Sequence, residues 1–250
     1  MEKVLSGVLL EIRHDSLGEL SAFSPQMIGK LRVLGFPRNS EIKSEQIQVN
    51  GNNILRNENI TKLVLNKDKN IAIYLNALSL KILTSSYERI EHFQGKITPI
   101  LQAYQESIQG DIVVNRIGLK YYNVFAGEQI SGLSYRPFDL DLPNMAMDYP
   151  RNLEMFYGSP LGRLIVHYCL QKTNSLHVQL QNTGLAEHDV EAAKLTPVED
   201  KVFLDIDHIT NCDEVFEVQK LLKTVGMLNA DIFECFKKMV NPDFLVKIKG

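Results

Sequence analysis

The chain writes one pattern twice, and that pattern limits the folds open to it. A strand-like run is followed by a variable insert, three more strand-like runs and one long amphipathic helix. In the first copy, residues 4–13 alternate, with Val8, Leu10 and Ile12 on one face. Ser24-Pro25 then opens a short helix, because serine caps orphan amides and proline suits a first helical turn. Met27, Ile28, Leu31 and Leu34 give that helix its stripe, and Gly35-Phe36-Pro37 ends it. Residues 38–59 are polar and rich in Asn, which reads as a loop holding at most a short edge strand at 47–49. Strands follow at 62–66, 71–75 and 78–82. Ser85-x-x-Glu88 reads as a capping box opening a helix over about 86–108, which Pro99 should kink.

The second copy begins at residue 113. Ile117, Leu119, Tyr121, Asn123 and Phe125 alternate with Arg116, Lys120 and Tyr122. A turn-rich insert, 126–160, carries Pro137, Pro143, Pro150 and Pro160, together with Met145, Met147, Met155, Phe156 and Tyr157. Strands are expected at 164–171, 176–181 and 202–209. Asn211-x-x-Glu214 reads as the cap of a helix over about 212–240, ended by Asn241-Pro242, with Val218, Leu222, Val225, Ile232, Phe236 and Met239 as its stripe. Helices with one apolar stripe must cover one face of an antiparallel sheet. The expectation is an α+β fold. Two pseudo-repeated halves, 1–112 and 113–250, build an antiparallel sheet with the helices on one face, as one pseudo-symmetric unit.

Composition excludes several classes of function. At 250 residues the chain needs no disulfide or metal staple. A net charge of −3 gives no global attraction for polyphosphate. Cys169, Cys212 and Cys235 make an odd count with no CxxC pair, which reads as reduced thiols in a cytoplasmic protein. The first twelve residues lack a signal-peptide core, and no run of 18 apolar residues predicts a membrane span.

The segment Asn115-Arg116-Ile117-Gly118-Leu119-Lys120-Tyr121-Tyr122-Asn123 resembles the central strand, R-I-G-L-x-Y-x-N, of a sporadically distributed prokaryotic family of uncharacterised proteins of about this length. Leu204-Asp205-Ile206-Asp207 and Ile232-Phe233-Glu234 resemble the family's late L-D-I-D strand and the I-F-E segment of the helix after it, and Gly35-Phe36-Pro37 resembles a further position. The resemblance implies no activity, cofactor or catalytic residue. It implies an accessory role in a phage-defence or toxin–antitoxin setting.

Alternation places a set of polar residues on the face turned away from the helices: Arg116, Lys120 and Tyr122; His167 and Gln171; His177 and Gln179; Asp205 and Asp207. Such a face is either solvated and laced with cross-strand pairs or a contact surface. The first function expected is a non-enzymatic binding or accessory subunit with a protein partner. The alternatives are a nucleic-acid-binding component using this face, or a metal-dependent hydrolase using Asp205, Asp207 and His177. His208 points to the other face in an ideal strand, which counts against a compact metal triad. No G-x-S-x-G elbow, P-loop or G-x-G-x-x-G is present, so no catalytic residue, resident metal or cofactor is expected. Cys235 reads as core filling. Lys237, Lys238, Lys247 and Lys249 read as a solvated helix end. Leu119 and Phe233 are both expected in the core.

Overall fold

The structure is a computed structural model. It describes residues 4–50, 53–136, 151–174, 178–181, 183–186 and 197–249, and for 45–50, 53–58 and 248–249 the backbone alone. In chain order the elements are β1 (Leu5–His14), α1 (Leu20–Val33), β2 (Arg38–Asn50), β3 (Asn53–Leu65), β4 (Ile71–Leu75), β5 (Ser79–Thr84) and α2 (Ile90–Gln105). Then come β6 (Val113–Ala126), a 3-10 turn (Gly127–Gly132), β7 (Arg151–Ser159) and β8 (Gly162–Thr173). A second 3-10 turn (Val178–Leu180), β9 (Glu199–Val215), α3 (Val218–Met239) and α4 (Pro242–Lys249) complete the described elements.

The nine strands form one antiparallel sheet ordered β2-β3-β4-β5-β1-β6-β9-β8-β7. Period-two alternation decides which face each side chain takes. Leu10 lies opposite Ile82 and Leu119, Leu119 opposite His208, and His208 opposite Leu164, so these residues share one face across five strands. That face packs under α1, α2 and α3 in one continuous apolar core. Phe23, Met27 and Leu31 come from α1, Phe93, Ile97 and Tyr104 from α2, and Val225, Leu228 and Ile232 from α3. Among the described residues no helix is long and apolar enough to cross a membrane.

Several expectations are corrected. Residues 38–59 are not a loop. β2 and β3 pair from Arg38↔Leu65 to Asn50↔Asn53, while β4 joins β3 only from Lys62 to Leu65. The rest of the hairpin therefore projects beyond the sheet. Residues 38–44 and 59–60 are exposed at consecutive positions, so no buried face sets a period there. The hairpin's turn signal, Gly51-Asn52 between the paired Asn50 and Asn53, was present in the sequence. The first helix starts at Leu20, not at Ser24-Pro25, and Ser24 is buried within it. Neither capping signal starts a helix. After β5 the chain stays extended to Arg89, and α2 begins at Ile90 with no side-chain cap. Asn211 and Glu214 pair with Arg116 and Val114 as the last rungs of β9, so ladder pairing overrides the local cap. The insert contributes β7, paired along its length with β8. Its residues 137–150, including Pro137, Pro143, Pro150, Met145 and Met147, lie outside the described residues. Of the expected strand 176–181, residues 178–180 form a 3-10 turn, and Leu176 and His177 lie outside the described residues.

Candidate functional site

The face turned away from the helices is neither bare nor uniformly polar. Residues 178–181 and 183–186 cross it. Leu180 and Leu185 bury themselves against Leu63, Ala72, Leu83 and Tyr122 in a second, smaller apolar cluster. Tyr74 donates its hydroxyl to Thr183 O at 2.9 Å, and Ala186 N donates to Lys69 O at 2.9 Å. Gly7 makes room for this crossing, since a Cβ there would stand 3.1 Å from Leu180 Cδ1.

Beside that segment lies a lattice of charge. Glu11, on β1, is 8% exposed and meets Arg116 at 2.8 Å, Lys81 at 3.0 Å and Arg13 at 3.2 Å. Burial pushes its pKa up, but these three cations outweigh burial and hold its carboxyl below the usual range. Lys120 reaches Asp205 Oδ2 at 3.3 Å, donates to Gln179 Oε1 at 2.9 Å and lies 4.9 Å over the Tyr122 ring. Asp205 is 3% exposed and Tyr122 6%. Asp207, directly across from Lys120, is the outlier. Burial pushes its pKa up to about 6 despite the opposing pull of Lys120 and Arg116.

The structure thus brings together Arg116, Lys120, Tyr122, Gln179, Asp205 and Asp207. His167 and Gln171 are one strand further out. His167 stands in register between Glu154 and Asp205, and Gln171 opposite Lys201. His177 lies outside the described residues. Chemically this face is self-compensated. The cations a phosphate backbone would need already meet carboxylates of the same face. Among the described residues no three His, Cys, Asp or Glu side chains come together in a way that could hold a metal ion. His208 lies on the helix side, fully buried, with Nδ1 3.6 Å from Asp231 Oδ2 and Nε2 3.0 Å from Ser159 Oγ.

A different site lies on the helix face. A cleft of about 920 Å³ opens between the sheet and the C-terminal half of α3. α2 packs on the first half of α3, where Gln94 Nε2 donates to Leu222 O at 2.8 Å. Because α2 begins only at Ile90, no helix among the described residues fills the space beside the second half. Val4 and Leu5 line the cleft from β1 and its approach, Ile206 from β9, and Ile232, Phe233, Phe236 and Leu245 from α3 and α4.

Neutral polar groups converge in it. Asn229 Oδ1 accepts from Tyr87 Oη at 3.1 Å and lies within hydrogen-bond reach of Tyr121 Oη. The two phenol oxygens are 2.6 Å apart. Asn123, 3% exposed, donates Nδ2 to Leu204 O at 2.9 Å, while its Oδ1 has no hydrogen bond from the described residues. Burial raises the pKa of both tyrosines, so both stay protonated. Glu88, Arg89 and Glu91 supply the charges, all in the one segment at the mouth.

Sequence reading missed this site. Phe233 is 38% exposed and lines the cleft rather than filling the core. One signal was legible. Asn123 occupies an inward register position among Tyr121 and Phe125, and a polar side chain there needs a reason. Burial raises the pKa of the Cys169, Cys212 and Cys235 thiols, which favours the protonated form of each.

No family model matches the chain, and no curated protein matches its sequence.

Proposed function

We propose that the protein is a binding module with no chemistry of its own, an accessory subunit of a cytoplasmic complex, and that the cleft beside α3 is where it takes its ligand. The observation that carries this reading is the cleft itself: about 920 Å³, mostly apolar walls, with Tyr87, Tyr121, Asn123 and Asn229 among its lining residues. That combination is the usual anatomy of a ligand site. Supporting it, the polar groups are amides and tyrosines whose pKa values burial raises, not a base poised beside a nucleophile. The two halves are read as a pseudo-repeat. Running outward from the β1–β6 seam, β1-β5-β4-β3 and β6-β9-β8-β7 follow the same chain order, which supports that reading.

The test is a fragment screen read by methyl NMR. Hits are expected to shift the methyls of Ile90, Ile206 and Ile232 in a saturable way while leaving Leu119, buried under the helices, unmoved. A screen whose hits all map elsewhere overturns the proposal.

A further inference from the structure

Resting on the cleft as the binding site, we infer that its ligand is an uncharged molecule: an apolar aromatic or aliphatic body carrying a carboxamide or hydroxyl group. Among the described residues the charged groups that line the cleft are Glu88, Arg89 and Glu91, all exposed. Its neutral polar groups are the Asn123 and Asn229 amides, the Tyr87 and Tyr121 hydroxyls and the Ser86 hydroxyl, which Lys96 Nζ already reaches at 3.0 Å. An ion placed against them would lose its hydration with no opposite charge in return. The hydroxyl protons of the two tyrosines are consumed internally, between themselves and Asn229 Oδ1. What remains for a ligand is one acceptor at the floor, Asn123 Oδ1, and one donor on the wall, the Asn229 amide nitrogen. A group offering both an N–H or O–H and an oxygen lone pair matches that pair, and a carboxamide offers both. Around these two atoms the surface is Ile206, Ile232, Phe233 and Phe236. The ligand body must therefore be apolar to gain by leaving water. The mouth does not select an ion either, because Arg89 stands between Glu88 and Glu91.

Three probes of one shape decide the matter: naphthalene-2-carboxamide, 2-naphthoate and 2-naphthylmethylammonium, titrated at pH 7 and followed at the Ile206 and Ile232 methyls. The carboxamide is expected to bind at least about tenfold more tightly than either ion. Asn229→Ala and Asn123→Ala should each weaken it by about three- to tenfold, the range for one lost hydrogen bond. Tighter binding of naphthoate, lost in Arg89→Ala, would overturn the uncharged class and leave the cleft standing as a site. So would tighter binding of the ammonium, lost in Glu91→Gln. If none of the three moves the cleft methyls up to millimolar concentration, the inference and the reading beneath it fall together. Where one variant fails to fold the other carries the test, and where both fail the ranking of the three probes on the parent protein decides it.

Discussion

Asp207 is the residue whose environment fits it least. Burial carries its carboxyl from the usual aspartate range up to about 6, and Lys120 and Arg116 recover only part of that. Between those two values the folded protein holds a proton that the unfolded chain has released. Its contribution to stability therefore falls as pH rises through this window, and the full penalty is present above pH 6. Asp207→Asn removes it. The variant should be about 2–3 kcal/mol more stable than the parent at pH 8, with the gain vanishing near pH 4. Urea unfolding at the two pH values checks this, and an equal effect at both would refute it. Inside and outside separate just as sharply between Leu119 and Phe233. Leu119→Ala should cost about 2–5 kcal/mol, and Phe233→Ala below about 1 kcal/mol because its ring is 38% exposed. Alternation made Leu119 legible, since a strand has only two faces. A helix stripe has soft edges, and Phe233 follows Ile232 at such an edge. Its neighbour is in the core and it is not.

Among elements, the ones read correctly are those with one wet face and one dry. β1, β4, β5, β6, β8 and the 202–209 part of β9 announce themselves by period. The β2–β3 arm does not, because among the described residues no third strand pairs with it beyond Lys62. It follows that the arm contributes little to the stability of the rest. Replacing residues 44–59 with Asn-Gly keeps the Lys43↔Ile60 pair and a two-residue turn. The thermal midpoint should move by no more than about 3 °C in calorimetry. α4 behaves oppositely. A Cβ on Gly132 would lie 2.4 Å from Phe244 Cδ2, so Gly132→Ala must push Phe244 off Phe125. The expected result is a loss of about 2–4 kcal/mol and faster proteolytic cleavage after Asn241 than in the parent. The capping signals at Ser85 and Asn211 failed for one physical reason. A cap offers roughly 1 kcal/mol, and strand neighbours satisfy the backbone instead, β6 opposite Asn211 and Asn70 O for the Ser85 amide. The two amides that line the cleft were legible only as anomalies, polar letters in apolar positions. The space beside them was not legible at all, because it exists only where α2 stops short of the end of α3.

At the scale of the whole molecule, two histidines on the helix side set the response to acid. Burial holds His14 and His208 below the ordinary histidine pKa, against the raising effect of Asp15 and Asp231. His14 sits 2.5 Å from the Tyr104 hydroxyl and 2.7 Å from Asp15 O, an arrangement suited to the neutral ring. Each is neutral when folded and gains a proton more readily when unfolded. The stability they allow is complete above about pH 6.5 and is lost as pH falls below it. Asp207 has the opposite sign, so the measurement belongs on Asp207→Asn protein. There the urea midpoint should fall steadily from pH 7 to pH 5, and a flat profile would show that neither ring titrates differently on folding. The order of the strands has one more consequence. β1 lies mid-sheet, hydrogen-bonded to β5 on one side and to β6 on the other. During synthesis the former arrives promptly and the latter only after α2 has left the ribosome. For that interval the nascent chain presents a ten-residue row of unsatisfied amides and carbonyls flanked by Val8, Leu10 and Ile12. A truncated product ending before residue 113 would keep that row permanently, and it should self-associate through it.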